Sequence, residues 1–130
     1  MNYGVLIVDD DKYVRLTITE LFKAEGIKVV EAGGADECLE ELEKGFKGVI
    51  LMDIMMPEKD GWDTVRMIIE KDMVKDNIIA MLTAKDVPDE KMHGLQEYVT
   101  DYITKPFDGE ELVARVKEYF SYFAGQEKDN

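Results

Sequence analysis

The sequence predicts a single α/β domain, a doubly wound five-stranded parallel sheet between two helical layers. Three observations carry this expectation. The runs Val5-Leu6-Ile7-Val8 and Gly48-Val49-Ile50-Leu51-Met52 are continuously apolar, the pattern of strands buried on both faces. Segments with apolar residues spaced three and four apart separate such runs along the whole chain. Both runs end in carboxylates, Asp9-Asp10-Asp11 and Asp53, and open parallel sheets bind ligands beyond the carboxyl ends of their strands.

Taken in order, residues 5–9 read as the first strand. Residues 12–25 set Val14, Ile18, Leu21 and Phe22 on one helical face, and Gly26 is a stop signal. Residues 27–32 form a short second strand. Residues 35–44 repeat the helical spacing through Cys38, Leu39 and Leu42 and close at Gly45. The third strand is 48–53, and Met56-Pro57-Glu58-Lys59-Asp60-Gly61 is a turn-rich loop. A third helix follows from Trp62 to about Val74, then a fourth strand over 78–83. The loop 84–88 leads to a short fourth helix over about 89–97. Residues 100–105 are the fifth strand. The last helix starts behind Asp108 as N-cap, with Glu111 three residues on, and runs to about Phe123. Residues 124–130 are polar and expected to fray. Five β/α repeats with right-handed crossovers give a three-layer sandwich with no room for a second domain.

Composition narrows the function. A chain of 130 residues suffices for one continuous core. No apolar stretch approaches the ~18 residues of a membrane span, and Met1-Asn2-Tyr3-Gly4 lacks the basic start of a signal peptide. The single cysteine, Cys38, excludes an internal disulfide, fits a reducing cytoplasm, and reads as a thiol packed on a helix. The net charge of −13 argues against direct nucleic-acid binding and against anionic membrane surfaces. Much of that acidity is expected on a solvated face.

The carboxylates at the strand ends call for chemistry. Crowded carboxylates repel, so one stays protonated or a cation joins them, and hard oxygen ligands without nearby His or Cys favour Mg²⁺. Thr83 ends the fourth strand, and Lys105, followed by Pro106, ends the fifth. In a parallel sheet all these ends share one edge, bringing Asp9, Asp10 and Asp53 together with one hydroxyl and one ammonium. A carboxylate can act as nucleophile toward phosphorus, Mg²⁺ neutralises phosphoryl charge, and a Lys ammonium pairs with a phosphoryl oxygen.

With Val5-Leu6-Ile7-Val8-Asp9-Asp10, Leu51-Met52-Asp53-Ile54-Met55-Met56-Pro57 with Asp60-Gly61, Met81-Leu82-Thr83-Ala84, and Asp101-Tyr102-Ile103-Thr104-Lys105-Pro106-Phe107, the chain resembles the receiver domains of two-component response regulators. The resemblance runs in the family's order from Val5 to about Phe123, so residues 1–123 are expected to form the receiver and 124–130 a tail. The nearest analogues in size are the stand-alone regulators of the chemotaxis type. The resemblance implies a flavodoxin-like sheet of order 2-1-3-4-5. Asp53 would be the phosphoacceptor, taking its phosphoryl group from a histidine kinase or phosphotransfer protein. Asp10 and Asp53 would ligate Mg²⁺ directly, Asp9 mainly through metal-bound water, and the Met55 backbone carbonyl would complete the protein ligands. Lys105, Thr83 and Ala84 would stabilise the phosphoryl group, with Lys105 and Pro106 joined by a cis peptide bond. Thr83 and Tyr102 match the family's switch pair, which would remodel the face of the fourth helix, fifth strand and last helix for a downstream effector. The resemblance further implies a cytoplasmic protein, monomeric or weakly dimeric, whose catalysis is confined to its own phosphorylation and dephosphorylation.

The sequence also departs from the family pattern. Tyr98-Val99 stands where Gly-Ala is common, so the turn before the fifth strand must be built differently. Met55 and Lys85 flank the expected phosphoryl position, and a bulky Met55 would hinder attack by water. Residues 71–77 lengthen the connection to the fourth strand, as helix or loop. His93, the only histidine, reads as a surface or packing residue, and the eight methionines read mostly as core filling. Trp62 is expected to be partly buried; Phe120, Tyr122 and Phe123 could pack the last helix or meet a partner. Three other functions compete. An aspartate-nucleophile phosphohydrolase would want a second Asp where Met55 stands. A flavodoxin-like cofactor binder would want a Ser/Thr/Gly-rich phosphate loop where Asp9-Asp10-Asp11 stands. A degenerate receiver serving as a phosphorylation-independent binding scaffold fits less well, because all five key side chains are present.

Overall fold

A computed structural model of the chain describes residues 3–84, 92 and 94–128, with side chains described to Phe123. The elements are β1 (Gly4–Val8), α1 (Lys12–Lys23), β2 (Val29–Ala32), α2 (Ala35–Glu43), β3 (Gly48–Asp53), α3 (Gly61–Glu70), β4 (Asn77–Ala84), a 3-10 turn (Gln96–Tyr98), β5 (Asp101–Lys105) and α4 (Gly109–Lys128). All strand pairs are parallel, and the sheet order is β2-β1-β3-β4-β5. The expected fold class and strand order are those observed.

The continuous apolar runs serve two cores at once. In β1, Leu6 and Val8 face the layer of α2 and α3, with Cys38, Leu39, Trp62, Val65 and Ile68. Val5 and Ile7 face the layer of α1 and α4, with Ile18, Phe22, Leu112 and Val116. Strand alternation thus distributes one apolar run between two helical layers. Burial pushes the Cys38 thiol up to about 12, so it stays protonated inside the core. Met52, Met56 and Met81 fill the core, whereas Met55 is 66% exposed.

Several boundaries differ from expectation. The third helix ends at Glu70 rather than near Val74, because Asp72 takes a left-handed conformation (φ 58°) and the Met73 N–H turns back to the Ile68 carbonyl at 2.9 Å. The extra residues therefore form a loop, pinned where Asn77 donates to the Met73 carbonyl (3.1 Å) and accepts from the Gly48 N–H (3.0 Å). Trp62 is 2% exposed, not partly buried. It follows Gly61, where an added Cβ would lie 2.5 Å from the Asp53 carbonyl oxygen, so the start of α3 sits directly against the end of β3 and drives the indole inward. Gly48 likewise allows close approach of β3 to β1, where a Cβ would meet the Gly4 carbonyl oxygen at 2.1 Å.

The last helix continues past Phe123 to Lys128; Ala124, Gln126, Glu127 and Lys128 are good helix formers, which extends the helix into the expected tail. Phe123 is buried and stacks on Tyr3 with ring centroids 4.2 Å apart, while Tyr122 is exposed. Asp108 caps this helix through the Glu110 and Glu111 N–H groups (2.8 and 3.2 Å), but the Glu111 carboxylate pairs with Arg115 at 3.0 Å. The expected fourth helix lies mainly outside the described residues, as do His93 and Lys85. Before β5, the turn through Tyr98-Val99 is a 3-10 turn, and Gly94 takes the positive φ (79°). No helix among the described residues is long and apolar enough to cross a membrane.

Candidate functional site: an acidic cluster at the carboxyl edge of the sheet

Parallel register brings the strand ends to one edge. Val8 lies opposite Met52, Asp53 opposite Leu82, Thr83 opposite Thr104, and Ala84 opposite Lys105. Asp9 and Asp10 follow β1 directly, so side chains distant in sequence converge. Asp9, Asp10 and Asp53 each present a carboxylate oxygen within 4.8 Å of the others. Asp9 and Asp53 are buried and Asp10 is exposed.

Lys105 bridges the two buried carboxylates, its Nζ donating to Asp9 Oδ2 at 3.0 Å and Asp53 Oδ1 at 3.1 Å. The other Asp9 oxygen accepts the Asp11 N–H at 2.8 Å. Asp11 itself caps α1, accepting from the Tyr13 and Val14 N–H groups, and so serves a different purpose from its two neighbours.

Burial pushes the Asp53 carboxyl above the ordinary carboxylate range, and the Asp9 charge adds to this. Lys105, by charge and hydrogen bond, and the Met55 backbone N–H pull it back without cancelling the rise. Burial lowers the Lys105 ammonium, but hydrogen bonds and charge from Asp9 and Asp53 outweigh it, leaving Lys105 above its usual value.

The donor set fits a hard divalent cation. Three carboxylates share the edge and one ammonium offsets one of them, leaving two negative charges for a cation to balance. The oxygen ligands and absence of soft donors within the cluster match Mg²⁺ better than a transition metal.

The remaining expected residues sit around this centre. The Lys105–Pro106 peptide bond is cis. The Thr83 hydroxyl donates to the Ala84 carbonyl at 2.9 Å, so it is engaged with its own loop rather than with the carboxylates. The Tyr102 ring is 39% exposed and lies 6.3 Å from the Trp62 ring, tilted by 44°. Neither Thr83 nor Tyr102 belongs to the carboxylate cluster in this conformation. Behind Tyr102, Asp101 accepts from Tyr119 Oη (2.5 Å) and Arg115 Nη1 (3.2 Å), fixing the start of β5 to α4. A groove of about 500 Å³ beside Lys105 is lined by Tyr13, Val14, Thr17, Pro106 and Phe107.

Sequence reasoning did not find Arg15, whose guanidinium donates to the Asp9 backbone carbonyl at 2.6 Å and to Glu31 at 3.2 Å. Its partner in β2 is remote in sequence, so no local spacing marks the pair.

The family model for the response regulator receiver domain matches residues 5–117. The phosphate regulon transcriptional regulatory protein PhoB of Escherichia coli K12 is 33% identical over 117 residues, which are 90% of this chain and 51% of that protein. The transcriptional regulatory protein CpxR of the same strain is 32% identical over 128 residues, 97% of this chain and 53% of that protein. The chain thus spans about half the length of the curated relatives it matches. Among solved structures, a CheY-like receiver domain protein from Methanospirillum hungatei JF-1 superposes with a TM-score of 0.86 at 46% identity, covering 98% of both chains. The chemotaxis protein CheY4 of Vibrio cholerae gives 0.80 at 28% identity, covering 92% of this chain and 99% of that one. Fold, acidic edge and these relationships agree: the chain belongs to the response regulator receiver domain family of two-component systems.

Proposed function

We propose that the chain is a phosphorylation-dependent switch with Asp53 as phosphoacceptor. The observation that carries this reading is the Asp9–Asp53 pair bridged by Lys105, with Asp10 alongside, at the mouth of the sheet. In the proposed step an Asp53 carboxylate oxygen attacks the phosphorus of a phosphohistidine on a kinase or phosphotransfer protein. An O–P bond forms, the N–P bond breaks, and the electron pair leaves with the imidazole, which takes up a proton.

Asp10, Asp53 and the Met55 carbonyl would hold Mg²⁺, with Asp9 acting through a metal-bound water. When bound, the metal supplies charge neutralisation between the carboxylates and the incoming phosphoryl oxygens. Lys105 has two present partners and would exchange one of its carboxylate contacts for a phosphoryl oxygen. Thr83 would leave the Ala84 carbonyl for another phosphoryl oxygen, with Ala84 offering its backbone N–H. That loop movement would let Tyr102 leave its exposed position and change the face built by β5, α4 and the segment before β5. The equilibrium moves only by the difference in stabilisation between the two states. In the cytoplasm, an effector protein would read that face on this chain, itself a monomer or weak dimer.

Intact mass after incubation with acetyl phosphate, with and without Mg²⁺, tests the reading on the wild type and Asp53→Asn. A Mg²⁺-dependent gain of one phosphoryl group, absent from the variant, is expected. A folded wild type that gains none would favour the phosphorylation-independent scaffold.

A further inference from the structure

We propose that Arg15 is a positioning residue for the acidic cluster, holding the strand end so that the Asp10 carboxylate stays at cation-binding distance. Asp10 is exposed, and its side chain makes no hydrogen bond or ion pair among the described residues. Its place is therefore set by its backbone. The peptide that enters Asp10 carries the Asp9 carbonyl, and a planar peptide fixes the following Cα once its carbonyl direction is fixed. That carbonyl lies just beyond the last β1 residue and accepts from Arg15 Nη1 at 2.6 Å. The same guanidinium donates through Nε to Glu31 Oε1 at 3.2 Å, so the fork is anchored on β2 while it grips the end of β1. The Arg15 side chain is 19% exposed, which limits its freedom to swing away.

Asp9 is then held from every side. Its N–H donates to the Ala32 carbonyl, its carbonyl accepts from Arg15, and its two carboxylate oxygens accept from Asp11 and Lys105. Glu31 neutralises the Arg15 charge locally, so the role is geometric rather than a long-range field. Two donors at a fixed angle make the bridge, and a lysine ammonium is a single point charge that does not reproduce it.

This inference rests on the reading that the cluster holds Mg²⁺, so its test separates the two. Mg²⁺ affinity is measured by calorimetry on the wild type, Arg15→Met, Arg15→Lys and Glu31→Met, at a temperature where each metal-free protein is folded. Exchange protection of the Asp11 amide is followed without metal. Arg15→Met should weaken Mg²⁺ binding about 10–100-fold, the usual effect of losing a group that orients a ligand, and Arg15→Lys should recover little of it. Glu31→Met should show a smaller loss in the same direction. The Asp11 amide should lose protection in Arg15→Met even with no metal present. A role confined to stability would lower the melting temperature and leave both readouts of the folded protein unchanged, which would overturn the proposal. If Arg15→Met does not fold, Arg15→Lys and Glu31→Met decide: wild-type affinity in both would overturn it. Wild type that binds no Mg²⁺ would overturn the metal reading instead, and the Asp11 amide would still decide whether Arg15 fixes the strand end.

Discussion

Asp53→Asn should make the metal-free protein more stable at neutral pH. The ionised Asp53 lies 3.1 Å from Lys105 Nζ and within 4.8 Å of oxygens of Asp9 and Asp10. With an effective dielectric constant of about 20, the Lys105 attraction is about 5 kcal/mol and each carboxylate repulsion about 3.5 kcal/mol. Repulsion exceeds attraction by about 2 kcal/mol, and burial of the charge adds in the same direction. This agrees with the raised Asp53 carboxyl. Because the folded-state value lies above the unfolded one, the Asp53 contribution to wild-type stability is greatest below the unfolded carboxylate range near ~4 and is lost as pH rises through the folded value. The advantage of Asp53→Asn should therefore open as pH rises and amount to about 1–2 kcal/mol at neutral pH, or several degrees in melting temperature for a domain of this size. On the proposed metal reading, Mg²⁺ should reverse the trend, since a cation at about tenfold its dissociation constant stabilises by ~1.4 kcal/mol and the variant would lack one proposed ligand. Thermal melts across pH, with and without Mg²⁺, measure all of this. A variant no more stable than wild type at neutral pH without metal, or an advantage equally large in acid, would refute the electrostatic reasoning.

Three further outcomes are expected. Gly61→Ala should cost about 1–3 kcal/mol in urea denaturation, because the new methyl meets the Asp53 carbonyl oxygen and must push α3 off β3. In an alkaline absorbance titration, Tyr119 should ionise above the ordinary tyrosine range of ~10, since burial and the adjacent Asp101 both hold its phenol up. That contribution to stability is present below the ordinary tyrosine range of ~10 and disappears as pH rises through the folded value, so Tyr119→Phe should flatten the alkaline loss. If Asp53 is the phosphoacceptor as proposed, Met55→Asn should speed loss of its phosphoryl group, because the exposed Met55 side chain would shield it from water; unchanged or slower loss, followed by intact mass, would show that Met55 shields nothing.

What the sequence determined by itself was the layout. Buried parallel strands must be apolar throughout, so β1, β3 and β4 announced themselves, and strand ends in a parallel sheet must share an edge. Asp9, Asp10, Asp53, Thr83 and Lys105 could therefore be gathered from their positions alone. A local signal also marked the N-cap at Asp108, which needs only backbone N–H groups a few residues away. Helix ends were less legible: α3 stops at Glu70 because the loop to Asn77 folds back onto it, and no breaker residue marks the place.

Tertiary structure alone decided the contacts between remote residues. The bridge from Arg15 to Glu31 and the Asp9 carbonyl depends on β2 pairing beside β1. The full burial of Trp62 depends on how closely Gly61 lets α3 approach β3. The engagement of Thr83 with Ala84 is a choice of hydrogen-bond partner, which depends on the geometry of the folded loop. Residue type and spacing specify which chemistry a strand end can offer, but a charge or hydroxyl acquires its strength only from the distances and dielectric that packing creates around it.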